Sequence, residues 1–208
     1  MKRILCYGDS NTWGSDPING ERLDDQTRWT RILADALGPD YEVIEEGLSG
    51  RTTVWEDPIE GYKNGYTYLM PCLETHRPLD LVVIMLGTND LKKRFSLTAY
   101  DIAQGAGVLV TVVQKSATGR DAKAPPVLLM APPPVSKLTD YAEMFEDSEE
   151  KSKKLGEHFH RVAQELGCEF LDTSSVIASS KVDGIHLDPE QHAKLGYAVA
   201  RIVNAILE

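Results

Sequence analysis

Apolar positions in this chain follow two rhythms that alternate from one end to the other. Five short runs, Arg3–Tyr7, Tyr41–Glu45, Leu79–Leu86, Val127–Ala131 and Cys168–Leu171, read as strands. Several are nearly continuous rather than alternating, LDLVVIML above all, which is the pattern of strands covered on both faces. Between them the spacing turns helical. Thr27–Leu37 carries Trp29, Leu33 and Leu37 on one side and stops at Gly38-Pro39, and Thr98–Gln114 keeps Ile102, Ala106, Leu109 and Val113 in register. A further helix starts near Ser148, turns Leu155, Phe159, Val162 and Leu166 inward, and ends at Gly167. The last opens at Asp188-Pro189, with an acidic cap, proline in the first turn and Gln191 at the third position, and buries Leu195, Val199, Val203 and Ile206. Asn64–Arg77 is also helical in pattern, with Pro71 requiring a kink or a late start.

Strands alternating with long helices predict βαβ units: an α/β protein, a three-layer α/β/α sandwich around a five-stranded parallel sheet. Such a sheet presents its reactive residues at the carboxyl ends of the strands. A length of 208 residues suits one core, and no repeat or linker divides it, so a single domain over residues 1–208 is expected. Gly47–Gly65, Ala117–Ala124 and Pro132–Asp147 are long connections of the kind that line a site or a subunit contact.

Charge narrows the partners. With 22 Lys and Arg against 32 Asp and Glu the formal net charge is -10, and no basic run offsets it, so nucleic acid and anionic membranes are poor partners. The opening MKRILCYGDS lacks a signal-peptide core, and no stretch is long and uncharged enough to span a bilayer, which makes the cytoplasm the expected location. Cys6, Cys72 and Cys168 are odd in number and widely spaced, so neither a disulfide framework nor a zinc cluster is expected.

The chemistry gathers at strand ends. Ser10, in YGDSNTWG, follows the first strand, where a hydroxyl at a helix start lies beside free backbone N–H groups; serines also cap helices for structural reasons alone. A serine nucleophile needs a base, and His186 in VDGIHLDPEQ, with Asp183 three residues earlier, is the best candidate. His76, His158, His160 and His192 sit in or beside helices, where surface or packing roles suffice. A tetrahedral intermediate needs donors. LGTND, after the third strand, offers the Asn89 amide, and GLSGRTT, after the second, offers the Gly50 N–H; each is also an ordinary turn.

These blocks, GDSNTWG, GLSGRTT, LGTND and DGIH in that order, resemble those of the SGNH hydrolase superfamily, the GDSL-type esterases and lipases. The match is nearest to the small bacterial arylesterase and acyltransferase branch. Asn11 stands where the family name has leucine. The resemblance implies a flavodoxin-like SGNH fold, Ser10 as nucleophile, His186 as general base and acid, and Asp183 as the carboxylate that orients it. It also implies an oxyanion hole from the Ser10 and Gly50 N–H groups and the Asn89 side chain. The reaction expected is hydrolysis of a small ester, acetyl-type or aryl, through an acyl-enzyme. Water is the acceptor, and a competing alcohol or peroxide gives acyltransferase or perhydrolase side activity.

Trp13, Trp55 and Pro133 are expected to wall a short acyl slot, although both tryptophans equally suit packing or a contact between subunits. No metal and no other cofactor is expected, because Asp9, Asp90, Asp183 and Asp188 lack the histidines or paired carboxylates of a metallohydrolase. A homo-oligomer larger than a dimer is expected from the long connections and from the relatives. Carbohydrate acetylesterase, thioesterase or lysophospholipase chemistry would use the same triad. A flavodoxin-like nucleotide or flavin binding module would use DSNTWG as a phosphate cradle, leaving DGIH without a role.

Overall fold

The computed structural model describes residues 1–207. Its sheet has five parallel strands, β1 (Lys2–Gly8), β2 (Tyr41–Gly47), β3 (Leu81–Met85), β4 (Val127–Ala131) and β5 (Glu169–Asp172), in the order β2-β1-β3-β4-β5. The helices are α1 (Ser10–Trp13), α2 (Trp29–Leu37), α3 (Gly65–His76), α4 (Ala99–Lys115), α5 (Ser148–Ser152), α6 (Leu155–Leu166) and α7 (Pro189–Leu207).

Within the continuous apolar strands a period of two survives as a division between faces. Leu5, Tyr7, Val82, Ile84 and Leu129 point to α3, α4 and α6, while Ile4, Cys6, Val83, Met85, Leu128 and Met130 point to α2 and α7. Each fully buried Leu or Ile stabilises the fold by about 1.5–3 kcal/mol. The helix pair on the second face packs tightly: a Cβ on Gly196 would lie 2.8 Å from Trp29 O. The strand order reverses between β1 and β3, so the crevice beyond their carboxyl ends is the topological switch point where such sheets hold ligands. No helix among the described residues is long and apolar enough to cross a membrane.

Several boundaries differ from the sequence pattern, each for a local reason. The helix expected from Thr27 begins at Trp29: Thr27 turns its hydroxyl to Asp24 Oδ1 (2.7 Å), Arg28 is extended, and the Trp29 N–H is capped by His192 Nδ1 (3.2 Å). The single helix expected from Ser148 is two, α5 and α6. Ser152 donates to Glu149 O (2.9 Å) and accepts from Val135 N–H (3.1 Å), which ties the end of α5 to the loop after β4. Pro71 lies inside α3, where it has no N–H for the carbonyl of Thr67, an exposed residue. At the start of α7, Asp188 Oδ1 accepts from Ser180 Oγ and Gln191 Oε1 from Ala178 N–H, so both side chains brace the preceding loop instead of closing a box on each other.

Candidate active site

β1 ends at Gly8, where any side chain would collide: a Cβ there would lie 2.0 Å from Thr12 Oγ1 and 3.0 Å from Met85 O. Asp9 then accepts from Asn11 N–H (3.0 Å) and starts the single turn of α1, whose first residue is Ser10. The Ser10 N–H is among those a helix leaves without an intrahelical partner.

The last loop before α7 brings His186 and Asp183 to Ser10. His186 Nε2 lies 3.0 Å from Ser10 Oγ, and His186 Nδ1 lies 2.5 Å from Asp183 Oδ2. Asp183 Oδ1 accepts from the N–H groups of Ile185 (2.9 Å) and His186 (3.0 Å), so one carboxylate shapes the loop and orients the ring. Burial alone would raise its pKa, but the hydrogen bonds from His186 and from those two N–H groups outweigh it and hold the carboxyl below its usual range. Asn11, the residue at the family's leucine position, donates to Ile185 O (3.4 Å) and links the Ser10 turn to the His186 loop.

Two further loops face Ser10. Asn89 Nδ2 donates one hydrogen to Arg51 O (3.1 Å), which leaves the other for a ligand. Arg51 in turn donates to Gly8 O (2.8 Å) and to Glu46 O, fastening the ends of β1 and β2. Gly50 has φ 83°, and its N–H makes no hydrogen bond among the described residues. That φ favours glycine, and a Cβ there would also push against the end of the Glu60 side chain, 2.5 Å away. Ser10, Gly50 and Asn89 share one cavity of about 320 Å³ with His186. Removal of the Asn89 amide, in Asn89→Ala, is expected to lower kcat by about 100–1,000-fold with a smaller change in KM, read by steady-state kinetics on one ester.

The expected pocket wall is corrected. Trp13, Trp55 and Pro133 do not line the cavity: Trp13 lies under the Arg22 guanidinium, 5.6 Å from its ring, Trp55 is 37% exposed, and Pro133 is buried behind the loop. Its apolar side is Tyr141, Met144, Phe145 and Ile185, and its polar side includes Ser15, Ser49, Glu60, Lys63 and Lys92. The loop after β4 folds back because Ser136 N–H donates to Gly184 O (2.9 Å), which delivers Tyr141 to 6.1 Å from the His186 ring, edge-on. The signal was present: Tyr141, Met144 and Phe145 sit at i, i+3 and i+4 in an otherwise polar stretch.

Sequence reasoning also missed an ionic clamp. Lys92, almost fully buried, holds Asp57 Oδ2 (3.3 Å) and Glu60, while Arg94 holds Asp57 Oδ1 (2.9 Å), joining the Gly50 loop to the segment after Asn89. Burial would raise the Asp57 carboxyl; the Ile59 and Glu60 N–H groups, Arg94 and Lys92 instead bring it to about 2. The other histidines take structural places. His76 pairs with Glu46 (2.8 Å), His158 lies edge-on to Tyr100, His160 stacks on Phe170, and burial lowers His192 to about 4, so it caps α2 in the neutral form.

Beneath the cavity lie two buried acids. Asp90 accepts from Thr53 N–H (3.1 Å) and Thr53 Oγ, and burial raises it to about 7; burial raises Asp9 to about 6. The folded chain therefore holds protons here that the unfolded chain releases near pH ~4. This contribution to stability is complete below about pH 4 and is lost as pH rises through the folded values. Asp90→Asn carries no charge to bury. It is expected to gain on the order of 2 kcal/mol relative to the unsubstituted chain between about pH 4 and pH 8, measured by urea unfolding at both. An equal difference at both pH values would refute the assignment.

A larger hollow of about 500 Å³, lined by Glu46, Gly47, Leu48, Arg51, Glu56, Tyr62, Asn64, Thr67 and Tyr68, contains none of Ser10, Asp183 or His186. Size therefore does not locate the chemistry.

The model of the GDSL-like lipase/acylhydrolase family matches residues 6–194. Among solved structures, the chain is similar to an aryl esterase of M. smegmatis, at 46% identity over 100% of both chains with a TM-score of 0.96. It is similar to a carbohydrate acetylesterase from Sinorhizobium meliloti at 42% identity, over 99% of this chain and 100% of that one, TM-score 0.96. A carbohydrate acetylesterase family member from the same organism is 38% identical over 100% of this chain and 99% of that one, TM-score 0.94. Comparison with curated proteins returns no match.

Proposed function

Because the chain belongs to the GDSL-like lipase/acylhydrolase family and is a serine ester hydrolase, we propose that Ser10, His186 and Asp183 are its catalytic triad and that it acts on short acyl esters. The observation that supports this reading is the unbroken line from Ser10 Oγ through His186 to Asp183, which starts in the same cavity as the Asn89 amide.

Ser10 Oγ attacks the ester carbonyl carbon while His186 Nε2 takes the hydroxyl proton. The negative charge moves to the carbonyl oxygen, where the Ser10 and Gly50 N–H groups and Asn89 Nδ2 stabilise it. Collapse of this intermediate breaks the bond to the alcohol oxygen, which receives the proton from His186. Water then repeats the sequence on the acyl-enzyme and releases the acid. Asp183 holds the Nδ1–H tautomer throughout. An alcohol or hydrogen peroxide in place of water makes the same step acyl transfer.

At about 320 Å³ the cavity lies near the lower end of ligand pockets and suits a small acyl group against Tyr141, Met144 and Phe145. A p-nitrophenyl ester series from about two to eight acyl carbons tests this size argument. Turnover concentrated on the acetate is the expected result; faster turnover of the octanoate would refute the short-acyl reading.

A second reading concerns the alcohol. Ser15, Ser49, Glu60 and Lys63 along one side of the cavity present hydroxyl and charged groups suited to a hydroxylated leaving group, which favours an acetylated carbohydrate as substrate. The carbohydrate acetylesterases among the similar structures support it. Preference for acetylated sugar over phenyl acetate decides between the two. The exposed Ile59, Tyr62, Tyr66, Tyr68 and Met70 on one segment support assembly into an oligomer larger than a dimer, which light scattering measures. A cytoplasmic location accords with three free cysteines.

A further inference from the structure

Cys72 and His76 stand four residues apart on α3, which places both side chains on one face of the helix. Glu46, the penultimate residue of β2, meets them there. One carboxylate oxygen, the Cys72 sulfur and one His76 ring nitrogen lie within 4.8 Å of one another. His76 Nε2 is 2.8 Å from Glu46 Oε1, Cys72 is buried, and the other two are half-buried. None of the three lines the Ser10 cavity, and Glu46 borders the larger hollow of about 500 Å³.

We propose that Glu46, Cys72 and His76 form a Zn²⁺ site, with a fourth position open to that hollow. Tetrahedral zinc with S, N and O donors at about 2.0–2.3 Å separates those donors by roughly 3.2–3.8 Å, so His76 and Glu46 would part slightly and the sulfur, within 4.8 Å of both, would close to that spacing. One thiolate, one imidazole and one carboxylate form a mixed set that suits zinc better than the all-oxygen shells of magnesium or calcium. On binding, the Cys72 S–H bond breaks and a Zn–S bond forms, the proton leaving to solvent. His76 Nε2, whose N–H donates to Glu46 Oε1 in the metal-free chain, gives up that proton as the neutral ring takes up another on Nδ1, which frees the Nε2 lone pair for the metal. Zinc, one carboxylate and one thiolate then sum to zero charge, so the neighbouring Arg51 guanidinium, over the Tyr7 ring at 4.2 Å and bonded to Gly8 O, keeps its place.

The site revises the expectation that the cysteines take no part in a zinc cluster. That expectation rests on linear spacing, whereas the third donor comes from a strand 26 residues before Cys72. Zinc here would also brace the end of β2, because Gly47 backs so closely on α1 that a Cβ would lie 2.2 Å from Trp13 N.

The test uses the full chain, stripped with a chelator and titrated with Zn²⁺ alone, with bound metal counted by elemental analysis. One zinc per chain is expected, together with a higher Tm. Co²⁺ in its place should give a thiolate-to-metal charge-transfer band. His76→Gln and Glu46→Gln should each weaken zinc binding by about 100-fold or more and abolish the Tm rise. Cys72→Ser should remove the charge-transfer band; if that buried substitution does not fold, the half-buried pair carries the test. Absence of stoichiometric zinc, equal affinity in His76→Gln, or a cobalt spectrum without the thiolate band would each overturn the proposal. These readouts are independent of ester hydrolysis and stand whatever the fate of the triad.

Discussion

Ser10→Ala is expected to lower kcat for ester hydrolysis by about 10⁵–10⁶-fold while leaving the fold intact. Ser10 is 6% exposed, and its hydroxyl meets only His186 Nε2. Losing that oxygen removes the atom that bonds to the acyl carbon without opening a sizeable cavity. Asn89, the Gly50 N–H and the pocket wall remain, so binding of a substrate analogue should persist. The measurement pairs turnover on p-nitrophenyl acetate with thermal unfolding. Activity within ~10-fold of the unsubstituted enzyme at equal Tm would remove Ser10 from the mechanism.

Asp183→Asn should cost about 10⁴-fold. An asparagine can keep its Oδ1 toward the Ile185 and His186 N–H groups, which now donate to Asp183 Oδ1 at 2.9 and 3.0 Å. Its Nδ2 would then face His186 Nδ1 and donate to it. The ring is thereby driven to the Nε2–H tautomer, which cannot take the Ser10 proton. The defect should appear in kcat, with the loop and KM largely preserved. Asp183→Ala should instead release the loop and raise KM as well, because two N–H groups lose their acceptor.

The sheet was legible because buried parallel strands must be apolar on both faces, and its five segments lie within two residues of their observed places, Leu79–Leu86 being trimmed at both ends. Leu79 leaves the strand to bridge Gly119, a long-range pairing that no local pattern encodes. Ser10, Gly50 and Asn89 were legible as residues just past strand ends and Asp183 and His186 as a pair just ahead of the last helix; the topology brings Ser10, Gly50, Asn89 and His186 to one cavity, with Asp183 behind the His186 ring. The pocket wall was not. Trp13 was the obvious aromatic by proximity in sequence, yet its ring packs beneath Arg22, and the cavity takes Tyr141 and Phe145 from a loop whose path depends on Ser136 meeting Gly184. Lys92 was hidden for a related reason, since its partners Asp57 and Glu60 lie more than thirty residues earlier.

The Ser10 hydroxyl and the His186 ring lie 176 residues apart, one just after the first strand and the other just ahead of the final helix. During synthesis on the ribosome, the nucleophile, Gly50 and Asn89 all emerge well before Asp183 and His186. A nascent chain lacking its last twenty-five or so residues holds a serine with no base, and α2 lacks the His192 that caps it and the helix it packs against. With the proposed triad, hydrolytic competence arrives only when the segment carrying Asp183 and His186 docks, so the onset of turnover in a translation reaction would be a direct clock for that docking.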